Sequence, residues 1–427
     1  MITVDLLFVC HKQLKHKMFL FIFTSFLAAS TFAKVDNGCS VFDSDGQLYV
    51  FSAFGDYTVS TDLKSSTVLQ GSSRSNRPPF TGDNLICMPS FNLNSGMFGA
   101  VLSAANKINL VFFLNADPDN KNTLHSFRFA DKVWRSVSMT GSGPNLDNAQ
   151  AVIDYDTLVV YVFTPEMGMM RLGDASERNL LNDKDFSVPF SLPWIDGNLS
   201  PMPFNARGRP TPTLAHAWFN MYLFGVPGAS AGQVWGYRIH FNIWGQSPQS
   251  VGSDFPNTPG KATTLRFKWP NTQNEHGGSP AHIAFIPNDN SGTFVINSYV
   301  NTTMKLAGPP SSQTSALTKY TASDSMLVQY TPDTGKIRTF DFSWLRDGES
   351  KNPVNPPGNG WVDAPLTIAT IPVSGVPSSG NGAVGSNRPN TGSSSSPASN
   401  SAFGRMSLLD KVAIGAQVIS VFCLFLF

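Results

Sequence analysis

Charge is what this 427-residue chain has least of. Only 14% of its residues are Asp, Glu, Lys or Arg, and the formal net charge is +1. No Lys/Arg cluster stands out along it. Phosphate backbones are held by clustered cations, so we expect no nucleic-acid partner. Cysteine is nearly as scarce: Cys10, Cys39, Cys87 and Cys423 are the whole complement. Long hydrophobic runs are missing too, since none reaches the roughly 20 apolar residues that span a bilayer comfortably. There is no phosphate loop. No Gly-x-Ser-x-Gly stands at a strand-to-helix junction, which leaves a hydrolase nucleophile elbow unsupported.

The two ends carry what apolar runs there are. At the C-terminus, Val412 to Phe427 is an uncharged stretch, preceded by the polar spacer Phe403 to Lys411 and the small residues Asn400, Ser401 and Ala402. Small triplet, spacer and apolar tail, in that order, form a glycosylphosphatidylinositol attachment signal. Nothing charged follows the tail, whereas a single-span protein usually ends in cytoplasmic Lys or Arg. We expect attachment at Asn400, with Ser401 as the neighbouring choice. At the other end, Met18 to Ala29 is an apolar run of signal-peptide length. Lys12, Lys15 and Lys17 precede it, and Thr31-Phe32-Ala33 offers a cleavage site. The expected organisation is therefore a signal peptide over 1–33 and a folded domain over 34–373. A Gly/Ser/Pro-rich stalk over 374–400 and an attachment propeptide over 401–427 complete it. The stalk has no aromatic residue and no apolar periodicity, so it cannot offset its ordering entropy.

Cutting both ends leaves Cys39 and Cys87. In an oxidising compartment they most simply pair with each other, closing a loop worth roughly 4 kcal/mol in the chain-entropy account. Asn198-Leu199-Ser200 and Asn301-Thr302-Thr303 are N-glycosylation sequons, so Asn198 and Asn301 are candidate glycan sites.

Gly 35 and Pro 30 beside Phe 33 suggest many turns around an aromatic core, as in an all-β protein. One arrangement recurs: a short apolar strand, a polar turn and a second strand rich in Tyr, Phe and Val. It is seen from Ser40 to Gly55, from Gly99, from Ala149 and from Thr211, and more loosely from Ala281. Each copy reads as a β-hairpin, and the spacing suits a repeated four-strand sheet. A second element follows some of the hairpins: HSFRFADKVW ends at Trp134, WGYRIHFNIW at Trp244 and TGKIRTFDFSW at Trp344.

After Trp134 a Gly-x-x-Pro turn leads into the next hairpin. This run, with Arg209 to Trp244, resembles a kelch repeat, and the resemblance implies a β-propeller similar to the galactose-oxidase central-domain group. The paired glycines that usually end the second kelch strand are absent, with one glycine each at Gly55 and Gly225. The fold class expected is all-β, a kelch-like propeller of six or seven blades. Dividing about 340 residues by a repeat near 50 leans towards seven. The three Trp should occupy equivalent places in different blades. Leu366 to Val373 should lie beside the strand near Ser40 to close the ring.

No reaction can be read from the residues. The copper radical oxidases of this fold group need a thiol joined to a Tyr, and a disulfide would consume both thiols. His125, His216, His240, His276 and His282 show no recognised metal-ligand spacing, so no metal and no cofactor is expected. Thr331-Pro332-Asp333-Thr334-Gly335 partly resembles a sialidase Asp-box. Arg338 stands where the closing aromatic belongs, and Asp-Thr-Gly is ordinary turn chemistry. The leading expectation is a non-catalytic cell-surface propeller. It would be tethered to the membrane by a lipid anchor and present loops to a glycan or protein ligand. The alternative is a secreted carbohydrate-active enzyme, for which two or three carboxylates with raised pKa should converge in the central funnel.

Overall fold

The structure, a computed structural model, describes residues 37–69, 76–90, 109–154, 159–173, 191–207, 211–217, 219–266, 280–310, 315–346 and 360–368. All of them lie in a compact unit spanning Met1–Ser378. They form six antiparallel four-strand units in chain order. Blade 1 is β1 (Gly38–Phe42), β2 (Leu48–Ser52), β3 (Gly55–Val59) and β4 (Ser66–Val68). Blade 2 is β5 (Ile86–Ser90), β6 (Leu110–Leu114), β7 (Thr123–Arg128) and β8 (Val133–Thr140). Blade 3 is β9 (Gln150–Ile153), β10 (Val160–Thr164), β11 (Gly168–Leu172) and β12 (Ser191–Asp196). In blade 4, β13 (Thr213–Ala217), β14 (Asn220–Phe224) and β15 (Gln233–Arg238) are followed by two short strands that share the edge of β15. These are β16 (Ile243–Trp244) and β17 (Gln249–Ser250). Blade 5 is β18 (Gly260–Leu265), β19 (His282–Pro287), β20 (Thr293–Asn297) and β21 (Thr302–Leu306). Blade 6 is β22 (Lys319–Ala322), β23 (Met326–Thr331), β24 (Lys336–Asp341) and β25 (Val362–Thr367), with the short helix α1 (Ser343–Arg346) before its last strand.

The first strands neighbour one another in a cycle, β1 to β5, β9, β13, β18, β22 and back to β1, so the six blades make a closed propeller. The core confirms the ring. It falls into six apolar clusters, one between each pair of adjacent blades. The second strand of each blade explains the unbroken apolar runs in the sequence. Side chains of a strand alternate between faces, and here both faces are covered. On β6, Val111 and Phe113 enter the blade 1–2 core while Leu110, Phe112 and Leu114 enter the blade 2–3 core. On β14, Met221 and Leu223 face blade 3 while Tyr222 and Phe224 face blade 5.

Six blades correct the lean towards seven. The connections β5–β6, β11–β12, β18–β19 and β24–β25 are long, and they consume chain that the simple division assigned to another blade. The copy from Ala281 is also out of phase. It is the second hairpin of blade 5, β19 with β20, and β18 supplies the first strand. Ring closure differs from the expected strand pairing. β25 hydrogen-bonds to β24 only, and Leu366 and Ile368 reach blade 1 through the apolar core between the last blade and the first. Residues 369–373 lie outside the described residues.

Two of the three expected Trp are equivalent. Trp134 and Trp244 sit on the fourth strands of blades 2 and 4, paired with Phe127 and Tyr237 on the third strands. Each sends its indole N–H into the preceding blade, Trp134 to Asp56 Oδ2 at 3.1 Å and Trp244 to Asn198 Oδ1 at 3.1 Å. Trp344 departs from this pattern. It lies in α1 and donates to its own neighbour Asp341. The third equivalent is Trp361, just before β25, which stacks edge-on with Phe340 and donates to Thr293 Oγ1 of blade 5 at 3.0 Å. Blades 2, 4 and 6 therefore each plug an indole into blades 1, 3 and 5.

The first of these joints also carries a charge. Asp56 is 1% exposed and accepts from Arg77 Nε at 3.0 Å as well as from Trp134. Arg77 lies over the Phe80 ring, 4.9 Å from its centroid. Removing one partner of a buried pair strands the other, so Asp56→Ala should cost about 3–5 kcal/mol. Trp134→Phe loses one hydrogen bond and leaves Arg77 paired, which should cost about 1–3 kcal/mol. Denaturant unfolding measures both; an Asp56→Ala loss no larger than that of Trp134→Phe would show that the ion pair is not the joint.

Candidate functional site: the central cavity

The inner edge of every first strand faces the axis, where no further strand pairs with it. Side chains take over that role. Asn37 Nδ2 donates to Gly82 O at 2.7 Å, joining blade 1 to the entry of blade 2. Asn84 Nδ2 donates to Leu146 O at 2.8 Å and Ala149 O at 2.9 Å at the entry of blade 3. Thr213 Oγ1 of blade 4 donates to Gly260 O of blade 5, and Thr264 Oγ1 of blade 5 donates back to His216 O of blade 4. Gly82 must be glycine for this crossing, because a Cβ there would lie 1.8 Å from Asn115 O. Cys39 on β1 and Cys87 on β5 form a disulfide, with their Cα atoms 6.5 Å apart, so blades 1 and 2 are also joined covalently along the axis.

Inside this ring lies a cavity of about 670 Å³. Its wall includes neutral polar groups such as Asn84, Gln150, Thr263 and Asn288, with apolar Met88 and Leu214 between them. Two cations line it, Lys261 on β18 and Lys319 on β22, and the wall contains no Asp or Glu among the described residues. Lys261 Nζ donates to Ala316 O at 2.8 Å and to Thr318 O. Lys319 Nζ reaches past blade 1 to Leu85 O at 2.9 Å. Burial pushes the Lys261 ammonium down to about 7, helped by the charge of Lys319, and burial pushes Lys319 down to about 8. At the opposite ends of the first strands, Arg266 Nη1 donates to Asp43 O at 2.6 Å and Phe42 O at 3.2 Å, tying blade 5 to blade 1.

The carboxylate cluster expected of a glycoside hydrolase is therefore missing from this wall. The nearest thing to an acid–base pair is Asp154 with His216, at the ends of β9 and β13. His216 Nε2 and Asp154 Oδ1 are 3.7 Å apart and both residues are buried. They belong to the blade 3–4 junction and are absent from the cavity wall. His125 is buried on the third strand of blade 2 and His282 on the second strand of blade 5, and burial lowers the pKa of each, His282 to about 3. His240 is exposed, and His276 lies outside the described residues. No group of three His, Cys, Asp or Glu could hold a metal ion among the described residues. The Asp-box-like run is the β23–β24 turn, with Gly335 at φ 67°, and Gly228-Ala229-Ser230-Ala231-Gly232, which has the Gly-x-Ser-x-Gly form, lies in the hairpin loop between β14 and β15.

The two sequons stand in different settings. Asn198 spends its amide on the blade 3–4 joint. Nδ2 donates to Met169 O at 2.9 Å and Met167 O at 3.0 Å, and Oδ1 accepts from Met169 N and Trp244. Asn301 is exposed in the β20–β21 turn at φ 58°. Asn400 and Ser401 lie outside the described residues, and no helix among the described residues is long and apolar enough to cross a membrane.

No family model and no curated protein matches the chain. Among solved structures it is similar to a chain of the crystal structure of a nidogen/laminin complex. The TM-score is 0.36 and the identity 9%, over 66% of this chain and 82% of that one.

The lysines set a pH dependence. Unfolding returns them to the ordinary value near 10.5. Between about pH 7 and 10 the unfolded chain therefore binds more protons than the native one, and stability rises with pH. Tyr161, pushed up to about 12 by burial, reverses the slope above pH 10, because only the unfolded phenol then ionises. Thermal unfolding should show the midpoint climbing from pH 7 to 9. Lys319→Met should flatten that climb, and an unchanged slope would remove Lys319 as its source.

Proposed function

We propose that this chain is a non-catalytic surface propeller that binds a ligand at its axis and on the loops around it. The observation that supports this most is the cavity: lined by all six first strands, of a size that suits a sugar-sized ligand, and without a carboxylate among the described residues of its wall. Hydrolysis of a glycosidic bond uses two carboxyl groups flanking the bond, one as acid and one as base or nucleophile, and the described residues of this wall offer neither. A rigid ring with its polar groups aimed inward is suited to holding a ligand in one orientation. The partner class we favour is a glycan or protein at the cell surface.

The kelch-like relation, the secretory route and the lipid tether belong to the same reading and rest on the sequence. A phosphatidylinositol-specific lipase should release the protein from intact cells. Replacing Asn400, Ser401 and Ala402 together with bulky residues should block attachment. Retention after both treatments would sink the anchor. Of the two sequons, Asn301 is the one we expect to carry a glycan, because a sugar on Asn198 would take the Nδ2 that donates to Met167 O and Met169 O. Glycopeptide mapping that finds Asn198 occupied in the folded protein would refute this. The binding reading itself is tested by incubating the purified protein with cell-wall oligosaccharides. Retention without new reducing ends is expected, and steady release of reducing ends would overturn it.

A further inference from the structure

Two lysine ammonium groups line the axial cavity, and among the described residues its wall offers no carboxylate to balance them. Lys261 and Lys319 repel each other, and the hydrogen bonds that hold them end on neutral main-chain carbonyls, Ala316 and Thr318 for one and Leu85 for the other. Among the described residues no ion pair involves either lysine. Asp333 accepts from the lining Ser315 hydroxyl at 3.3 Å, but it is exposed and outside the wall. Burying a charge is costly without a partner, and the like charge of Lys319 raises the cost at Lys261. The chain places them there nonetheless, at the starts of the two adjacent first strands β18 and β22.

We propose that the Lys261–Lys319 wall is an anion subsite, and that the cavity takes a small ligand bearing a carboxylate or phosphate, its oxyanion against the two ammonium groups and its neutral part against the amides and hydroxyls of the remaining wall. An ammonium has three donors. Lys261 spends two on carbonyls and Lys319 spends one, which leaves protons on both for an incoming oxygen. Thr263, on β18 with Lys261, also lines the cavity and brings a hydroxyl to the same wall. Burial lowers the proton affinity of both lysines, with the charge of Lys319 adding to the effect at Lys261, and a bound anion would raise it again. The proposal rests on the reading of the cavity as a binding site and adds the class of ligand.

The test uses the full-length protein at pH 7, with thermal unfolding followed in acetate, glucuronate, inorganic phosphate and glucose 6-phosphate. Glucose is the neutral control and sodium chloride matches the ionic strength. At least one oxyanion should raise the midpoint by about 2 °C or more over chloride. That rise should vanish in Lys261→Met and in Lys319→Met and persist in Lys64→Met, whose lysine is exposed on blade 1. A response to the two carboxylates alone, or to the two phosphates alone, assigns the anion; a response to both assigns the oxyanion generally. A rise with glucose alone would reject the anion subsite and keep the binding cavity, whereas no rise with any probe would reject both. A rise that survives in both lysine variants would place the anion elsewhere. If the variants fail to fold, acylation of the unaltered protein decides. The effective probe should slow modification of Lys261 and Lys319 about fivefold and leave Lys64 unchanged, and equal rates would overturn the proposal.

Discussion

Everything in this fold depends on one constraint: each blade is apolar on both faces. A four-strand sheet of that kind cannot stand alone in water, and a stack of them leaves two ends uncovered. Closing the stack into a ring removes both ends. The six clusters between blades are the result, with residues such as Phe51, Phe113 and Trp134 packed at centroid distances of 5.2–5.5 Å between blades 1 and 2. Burying one such side chain is worth roughly 1.5–3 kcal/mol, so each interface, with about ten or more of them, outweighs any single polar contact in the molecule. The polar contacts are then free to set position. They decide which blade meets which and at what offset, and they contribute little to the drive for closure.

The indole joints show that division of labour. Trp134, Trp244 and Trp361 bury their rings in the apolar interfaces, and each N–H finds an acceptor on the preceding blade. The acceptors differ: a carboxylate already held by Arg77, an amide wound into the β10–β11 turn, and a threonine hydroxyl. What is kept is the geometry of a donor on or just before the fourth strand reaching the preceding blade. That the joint recurs in every second blade accounts for the wide Trp spacing in the sequence. In blades 2 and 3 the outer strands β8 and β12 pair in parallel as well, which merges two sheets into one of eight strands.

Much of this was legible in the residues. The first-to-second-strand hairpins at Ser40, Ala149 and Thr211 are bounded by polar turns, and their second strands are apolar without a break because they serve two cores at once. The same property misled in blade 5. There β19 and β20 are both fully buried, so that hairpin stood out and β18, only partly buried, did not. Blade number could not be read by division, because connection length carries no information about strand count. Trp344 drew attention by its even spacing from Trp244, yet the long connection after it shifts the true equivalent to Trp361. Periodicity in sequence reports strands faithfully only while the insertions between them stay short.

The axis was the least legible part. Lys261 and Lys319 begin the short segments KATTL and KYTA, which read on their own as the edges of ordinary half-exposed strands. Nothing local marks them as facing inward. Their placement follows from closure: once the ring forms, every first strand has one edge without a partner, and the carbonyls along that edge need donors. Asparagine and threonine meet the need elsewhere around the axis without adding charge. Lysine meets it between blades 5 and 6 and at the entry of blade 2, and it brings two charges that the carbonyls cannot neutralise. Stability alone would be served as well by another amide at either position. Two ammonium groups in a wall whose described residues include no carboxylate are the feature on which the proposed anion subsite is built.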